Sequence, residues 1–213
     1  MNKNLFIALE GIDGSGKSTQ ARRLADQLTR QGHRVYATFE PTNSRIGSII
    51  RDIFRHRMEA DHRTIAALYV ADRLHHLLNQ QDGILKKLEE GYTVITDRYY
   101  FSSYAYQGSH VPMDWVITAN SLSAGLRRAD FTFYVDITPE EGVARMKKSR
   151  EVVELFETLD ELRTVRANYF EAFERLKGEE QIRIIDGMRP QEDVAADIWQ
   201  QLSLYPGIQA GSD

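Results

Sequence analysis

The segment Gly11–Ser18 carries residue types that can hold the phosphates of a nucleotide. It reads Gly-Ile-Asp-Gly-Ser-Gly-Lys-Ser and matches the pattern G-x-x-x-x-G-K-[ST] at every position. Glycines let backbone N–H groups curl around phosphate oxygens, and the N-terminus of a following helix adds positive potential. The pattern predicts that Lys17 reaches the β- and γ-phosphate oxygens and that the Ser18 hydroxyl binds Mg²⁺. Contacts to ATP are expected from Gly11, Ile12, Asp13, Gly14, Ser15, Gly16, Lys17, Ser18 and Thr19.

A second carboxylate stands directly after another apolar run. Asp97 follows Thr93–Thr96, and a P-loop protein needs an acidic residue at the end of a further strand to complete the Mg²⁺ shell. Its neighbour Arg98 would lie at the phosphates, where a planar cation stabilises the charge of the transferred group. Taken alone, the pair could also be a helix N-cap aspartate followed by a surface arginine.

Two arginines and one tyrosine are candidates for binding a second ligand. Arg51 and Arg73 lie in helical patterns, where a solvated side chain is the common explanation for a lone arginine. Tyr69 precedes Arg73 by four residues, so the ring and the guanidinium share a helical face and could meet one ligand. The sequence equally allows Tyr69 to be a core residue.

A basic cluster follows Pro139 and consists of Arg145, Lys147, Lys148 and Arg150. It could belong to a lid, over about residues 142–157, that closes over ATP and brings Arg145 and Arg150 to the phosphates. The alternative is a solvated helix end, because cations suit the C-terminus of a helix.

Apolar runs of β-favouring residues alternate with helical patterns along the chain. The runs are Leu5–Leu9, Val35–Phe39, Thr93–Thr96, Phe131–Val135 and Ile182–Ile185. The helical patterns are Lys17–Arg30, Arg63–Leu88, Trp115–Leu126, Glu140–Lys148, Leu159–Leu176 and Glu192–Leu202. Near-continuous apolar runs suit strands that are buried on both faces. The alternation predicts an α/β fold with a parallel sheet, helices on both faces, and ligands at the carboxyl ends of the strands.

Length and composition limit the possible classes of protein. A chain of 213 residues with 42% hydrophobic and 27% charged residues fits one domain, expected over 1–205, with a polar tail over 206–213. The net charge of −4 argues against a nucleic-acid partner, and no run reaches the length of a membrane span. The chain has no cysteine, and its histidines lack metal-ligand spacing. A cytoplasmic enzyme is expected.

Four segments together resemble the thymidylate kinase family, which makes dTDP from dTMP. They are Glu10–Thr19, Glu40-Pro41, Leu68–Arg73 and Asp97–Gly108. The last begins Asp-Arg-Tyr and continues with Ser-Ser-Tyr-Ala-Tyr-Gln-Gly, which is far more specific than a P-loop. The resemblance spans Leu5 to Leu202 and implies a P-loop NTPase fold with a five-stranded parallel sheet, in a homodimer.

The resemblance also implies roles in binding dTMP. Asp13 would accept a hydrogen bond from the 3′-OH, and Tyr106 would pack under the deoxyribose and crowd the 2′ position. Tyr69 would stack on thymine, and Arg73 would reach the base O4. Further implied contacts, to the acceptor phosphate, Mg²⁺ or the pyrimidine edge, come from Glu40, Arg51, Arg98, Ser103 and Gln107.

Three segments depart from the family pattern. Gly14 and Ser15 stand where some members have an arginine. The resemblance therefore implies that the cationic side chain that stabilises the phosphates comes from the lid. Yet the lid lacks the common Asp-Arg pair and reads Arg-Glu-Val-Val-Glu from Arg150. Thr42-Asn43-Ser44 replaces the glycines of many bacterial members.

ATP-dependent phosphorylation of dTMP is therefore the expected function. The acceptor is a phosphate oxygen with a second pKa near ~6, so it is largely deprotonated at neutral pH and needs no strong general base. The alternatives are a kinase for another nucleoside monophosphate or deoxynucleoside, a homologue with an impaired lid and a changed acceptor, and an ATPase or GTPase switch that binds a protein. A GTPase would need an Asn-Lys-x-Asp motif, and none follows the P-loop.

Overall fold

The computed structural model describes residues 4–149, 158–205 and 208, and its strands form one parallel sheet. The strands are β1 Phe6–Glu10, β2 Val35–Phe39, β3 Thr93–Asp97, β4 Phe131–Asp136 and β5 Ile182–Asp186. Their order is β2-β3-β1-β4-β5, and every neighbouring pair is parallel. The predicted α/β fold with a five-stranded parallel sheet is confirmed.

Helices cover both faces of this sheet. They are α1 Lys17–Arg30, α2 Arg45–Phe54, α3 His62–Leu78, α4 Ile84–Glu89, α5 Tyr100–Tyr106, α6 Met113–Leu126, α7 Pro139–Ser149, α8 Leu159–Arg175 and α9 Gln191–Ser203. A 3₁₀ turn, Gln107–Ser109, continues α5. Alternate residues of β1 point to opposite faces. Phe6 and Ala8 pack in one core with α5 and α8, and Ile7 and Leu9 pack in the other with α1 and α9.

Burial of the strands follows their place in the sheet. All five residues of β1 are buried, and β3 and β4 are buried except at their last residue. The expectation that every strand is buried on both faces is wrong for β2 and β5, whose residues are mostly half-buried or exposed. They are the two edge strands, so each has only one strand neighbour.

The helical pattern Arg63–Leu88 divides into α3 and α4. The Asn79 side chain accepts a hydrogen bond from the Gln81 N–H at 2.8 Å, so it competes with the helix backbone. Gly83 then caps α4, and a Cβ at this position would lie 2.4 Å from the Asn79 carbonyl oxygen. A single helix was therefore the wrong prediction for this stretch, because local turn chemistry overrides the apolar periodicity.

Some expectations concern residues outside the described part of the chain. Residues 150–157, which include Arg150 and half of the expected lid, lie outside it, as do all residues of the tail 206–213 except Ile208. The single domain over 1–205 and the lid over 142–157 stay predictions. Among the described helices, none combines the length and apolar character that a membrane crossing requires. A cytoplasmic location also stays a prediction.

Candidate active site

The P-loop joins the carboxyl end of β1 to the first turn of α1. The Ser15 N–H donates to the Ile12 carbonyl oxygen at 3.1 Å, and Gly16 takes the N-cap position of α1 with a φ of 88°. No side chain caps this helix, and no acidic residue stands in its first turn. Its first N–H groups have no intrahelical acceptor, so they and the helix dipole favour an anion at this position.

The tip of the P-loop lies against the backbone of α7. Gly14 has a φ of 79°, and a Cβ built there would lie 2.5 Å from the carbonyl oxygen of Gly142. A Cβ on Gly142 would in turn lie 2.8 Å from the Asp13 carbonyl oxygen. An arginine at position 14 would therefore collide with the helix that begins the expected lid. This contact gives a physical reason for the departure from those family members that have an arginine here.

Four predicted site residues meet beside the P-loop: Asp13, Lys17, Arg98 and Tyr106. Lys17 Nζ lies 3.5 Å from Asp13 Oδ1, and Arg98 Nη2 donates to the same oxygen. The Tyr106 hydroxyl donates to Asp13 Oδ2 at 3.0 Å, and the Arg98 guanidinium lies 4.8 Å from the centroid of the Tyr106 ring. We call these four residues the Asp13 cluster. It joins the P-loop to α5.

The charge on Lys17 is only partly stabilised by the protein. Burial, and then the nearby Arg98 guanidinium, lower the pKa of the Lys17 ammonium, whereas Asp13 and Asp97 oppose that shift. Removing an ammonium from water without full compensation disfavours its charged form. Phosphate oxygens bound beside Lys17 would supply the missing negative charge.

Arg98 is held in an unusual backbone conformation. Its φ is 73°, in the left-handed region that non-glycine residues rarely adopt. Its N–H donates to the Leu9 carbonyl oxygen at 2.9 Å, and its own carbonyl oxygen accepts from the Thr96 hydroxyl at 2.8 Å. These bonds turn the chain sharply at the end of β3, so that the guanidinium points back to Asp13. Such strain is common where a side chain has a functional orientation.

Asp97 has a free acceptor at the place where a metal ligand is expected. It ends β3 beside Leu9 of β1, and its Oδ1 atom is buried with no hydrogen-bond partner in the described residues. Ser18 is exposed in the first turn of α1. No cluster of three or more His, Asp or Glu side chains in the described ranges could hold a metal by itself. A Mg²⁺ ion bound through phosphates and waters needs only one or two protein ligands, so Asp97 and Ser18 fit it.

A second group of predicted residues surrounds the buried Arg73 side chain, which is 1% exposed. Its Nε and Nη2 atoms contact Glu40 Oε2 at 2.9 and 2.7 Å, and Nη2 also donates to the Tyr99 carbonyl oxygen. Nη1 donates to the Ser103 hydroxyl at 3.0 Å and to the Asn120 amide oxygen. Every guanidinium N–H therefore has a protein acceptor, and a base O4 would have to share one.

The loop after β2 is shaped by a residue that the sequence analysis did not single out. The buried Asp72 carboxylate accepts from the Thr42 N–H at 2.7 Å, the Thr42 hydroxyl at 2.6 Å and the Ser44 hydroxyl at 2.8 Å. Arg51 Nη1 donates to the Pro41 carbonyl oxygen at 3.1 Å and to that of Thr42. The departure Thr42-Asn43-Ser44 thus supplies hydroxyls that bind Asp72, and Arg51 lies beside Pro41, while its contact with the acceptor phosphate stays a prediction.

Tyr69 and Gln107 are two further residues of the predicted dTMP site. Tyr69 is half-buried and packs edge-on against Phe54, with ring centroids 6.3 Å apart. Burial raises the pKa of the Tyr69 hydroxyl, and the charges of Arg98 and Asp13 also act on it. Gln107 is buried at the start of the 3₁₀ turn. Stacking by Tyr69 and a base contact by Gln107 stay predictions.

Arg145 lies in α7 and makes contacts outside the Asp13 cluster. Its Nε donates to Glu141 at 2.7 Å, and its Nη2 donates to the Gly187 carbonyl oxygen at 3.0 Å. Its approach to phosphates stays a prediction that requires these bonds to break.

The contacts also reveal polar residues that the sequence analysis did not select as site residues. Asn120 and Asp72 bind predicted site residues or their loop, Glu10 binds α5, and the His76 ring bonds Glu40 at 3.1 Å. Glu10 and Asp72 lie in two of the family segments, Glu10–Thr19 and Leu68–Arg73, but neither segment by itself assigned them a role.

Comparisons with known proteins identify the family of the chain. A family model described as thymidylate kinase matches residues 9–198. The chain is 36% identical to a probable thymidylate kinase of Pyrococcus horikoshii over 92% of this chain and 94% of that protein. It is 39% identical to a probable thymidylate kinase of Caldivirga maquilingensis, covering 91% of each chain. It is 32% identical to a thymidylate kinase of Leptospira borgpetersenii, covering 92% of each. The chain therefore belongs to the thymidylate kinase family.

Proposed function

We propose that this chain transfers the γ-phosphoryl group of ATP to dTMP, with dTDP and ADP as products. The observation that carries the proposal is the Asp13 cluster, in which donor-side and acceptor-side residues share one carboxylate. Lys17 belongs to the P-loop, whereas Tyr106 belongs to α5, within the segment that carries the most specific family resemblance. Arg98 contacts both sides, which supports a role in neutralising charge between two phosphates.

The residues divide the work of phosphoryl transfer between positioning and charge stabilisation. The N-terminus of α1 and Lys17 would hold the β- and γ-phosphates. Arg98 would stabilise charge on the transferred group. A general base is unnecessary, because the attacking oxygen belongs to a phosphate that is already largely ionised.

Magnesium is the metal that this site would take. Asp97, through its buried and unpaired Oδ1, and the exposed Ser18 hydroxyl would hold the ion directly or through water. When bound, the ion neutralises charge on the β- and γ-phosphates. Two protein oxygens are enough, because Mg²⁺ keeps several waters and binds phosphates.

Selection of the sugar would rest on Asp13 and Tyr106. Asp13 Oδ2 accepts the Tyr106 hydroxyl at 3.0 Å, and a 3′-OH could add a second donor to this carboxylate. The Tyr106 ring is held in place by Arg98 on its face and by Tyr169, whose ring centroid lies 6.4 Å away. A ring fixed in this way would leave little room for a 2′-hydroxyl.

An acceptor panel tests the proposed function. We expect ATP-dependent ADP release with dTMP to exceed that with ribothymidine 5′-monophosphate by at least about tenfold, because the two differ only in the 2′-hydroxyl. Tyr106→Ala should relax this preference, and Tyr106→Phe, which keeps the ring, should retain it. Chelation of divalent metal by EDTA should abolish turnover. Equal rates with dTMP and AMP would leave a P-loop kinase with another acceptor, and hydrolysis without any acceptor would favour an ATPase.

We also propose that the chain forms a homodimer through α6. Trp115, Ala119, Leu122 and Leu126 recur at i, i+4, i+7 and i+11 on one side of this helix. Trp115 is 43% and Leu122 is 60% exposed, whereas Asn120 and Ser123 face inward and are buried. A second copy of the stripe is an apolar partner of matching length. Sedimentation velocity tests the pairing, and Leu122→Glu should shift the protein to monomers.

A further inference from the structure

Glu10 is a fully buried carboxylate that the proposed mechanism does not use. It ends β1, directly before the P-loop, and has no exposed surface. Its Oε1 atom accepts from the backbone N–H groups of Tyr99 at 2.8 Å and Ser102 at 3.2 Å. Its Oε2 atom accepts from the Ser102 hydroxyl at 2.6 Å and the Tyr169 hydroxyl at 2.9 Å. All four partners are donors, so the geometry suits the ionised form, which only accepts hydrogen bonds.

Glu10 replaces the missing N-cap of α5. Tyr99 occupies the N-cap position and offers no side-chain hydrogen bond to the helix. The two N–H groups that a capping box would satisfy, those of Tyr99 and Ser102, are bound by Glu10 from β1, and the Ser102 N–H also donates to the Tyr99 carbonyl oxygen. A helix of 7 residues is too short to be stable by itself. The position of α5, which carries Tyr106 and Ser103, therefore depends on this carboxylate.

Glu10 also reaches Arg98 through one hydroxyl group. The Ser102 hydroxyl gives its single proton to Glu10, which leaves its lone pairs for Arg98 Nη1 at 3.1 Å. Arg98 Nη2 in turn binds Asp13 of the P-loop. A continuous chain of hydrogen bonds thus runs from Glu10 through Ser102 and Arg98 to Asp13.

We propose that Glu10 is a positioning residue for phosphoryl transfer: it caps α5 from the end of β1 and orients the Ser102 hydroxyl so that it holds Arg98 against the P-loop. Tyr169 of α8 supports it by donating to the same carboxylate. The proposal rests on the proposed function, because it assigns Arg98 and α5 to the acceptor phosphate and sugar. It predicts that substitutions that weaken the hydrogen bonds of Glu10 raise KM for dTMP and lower kcat, while ATP binding is unchanged.

The first test compares two tyrosines that differ in hydrogen bonding. Tyr169 and Tyr134 are both buried, and their ring centroids lie 4.8 Å apart. The Tyr134 hydroxyl has no hydrogen-bond partner in the described residues, whereas that of Tyr169 donates to Glu10. We expect Tyr169→Phe to raise KM for dTMP several-fold and to lower kcat, with KM for ATP unchanged. Tyr134→Phe should leave all three constants at wild-type values.

The second test removes the charge with Glu10→Gln, which keeps the shape of the side chain. Loss of acceptor capacity at Oε2 should reduce kcat/KM for dTMP by about tenfold to hundredfold. Burial raises the pKa of Glu10 despite its donors. Above about pH 4.5 its buried charge therefore lowers the stability of the wild type. This offsets part of the cost of the lost hydrogen bonds, so Glu10→Gln should unfold within about 3 °C of the wild type at pH 7. A merely structural role would instead lower stability and activity together.

Hydrogen exchange separates this proposal from the proposed function. An amide oxygen accepts weaker hydrogen bonds than a carboxylate oxygen, so in Glu10→Gln the Tyr99 and Ser102 amides should exchange faster, whichever acceptor the enzyme uses. A folded Glu10→Gln with wild-type kcat/KM and unchanged exchange, or one that weakens ATP as much as dTMP, would overturn the positioning role. If Glu10→Gln does not fold, equal constants for Tyr169→Phe and Tyr134→Phe would overturn it. A wild-type enzyme without dTMP kinase activity would contradict the function, and the exchange result would still decide whether Glu10 holds α5.

Discussion

Replacing Lys17 with Met is expected to lower kcat by about 10²- to 10³-fold while the unfolding temperature stays at or above that of the wild type. The loss follows because a preorganised cation in a water-poor site stabilises charge that develops in the transition state. The stability follows because Lys17 is buried and its pKa is lowered by that burial and by Arg98. Methionine has a similar length and no charge to desolvate. Steady-state kinetics and thermal unfolding without ligand measure the two effects.

The stabilising effect of Lys17→Met should depend on pH with a definite sign. The folded pKa of Lys17 lies below its ordinary value of 10.5, so at neutral pH the wild-type fold holds a charge that the unfolded chain solvates better. The difference in unfolding free energy between variant and wild type should therefore be largest below the folded pKa. It should vanish above pH 10.5. At neutral pH, a Lys17→Met variant with an unfolding temperature below that of the wild type, or with the wild-type kcat, would contradict the role assigned to Lys17.

Arg98→Gly is expected to lower kcat by about 10²-fold or more without unfolding the protein. The guanidinium contacts Asp13, Ser102 and Tyr106. Removing it should leave the negative charge of the transferred group without its arginine. Glycine suits the backbone, because the φ of Arg98 is 73° and glycine adopts this region without steric strain. Single-turnover kinetics and ATP binding by calorimetry separate a loss in chemistry from a loss of donor binding.

His56 offers a matched control for the backbone part of this change. It is the other described non-glycine residue with a positive φ, 56°, and it is exposed after α2, outside the Asp13 cluster. The left-handed conformation costs roughly 1–2 kcal/mol, and the added freedom of glycine in the unfolded chain offsets about 0.5–1 kcal/mol of that. His56→Gly should therefore be neutral or slightly stabilising, with unchanged turnover. Retention of more than a tenth of kcat in Arg98→Gly would contradict the role of Arg98.

Much of the fold was predictable, because its strands, α1 and the P-loop are each recognised from residues that are neighbours in the sequence. The five β-favouring runs lie at the observed strands, with Val35–Phe39 matching β2 at both ends, and Lys17–Arg30 matches α1. The P-loop was recognisable because its glycines, lysine and serine are consecutive and stand between a strand and a helix. Three members of the Asp13 cluster, Asp13, Arg98 and Tyr106, were also predictable, because they lie in the segments that resemble the family.

Features that depend on contacts between residues far apart in the sequence were not predictable. The helix α5 was absent from the sequence prediction, because its cap, Glu10, comes from β1, and Tyr169 reaches that carboxylate from 159 residues away. Asp72 and Asn120 had no local pattern, because their significance lies in bonds to Thr42 and Arg73. The sequence by itself determined the strands, the P-loop and the family, since each depends on neighbouring residues. Only the tertiary structure decided which buried polar groups hold Arg73, Arg98 and α5, because a buried carboxylate or amide gains its role from the donors that folding brings to it.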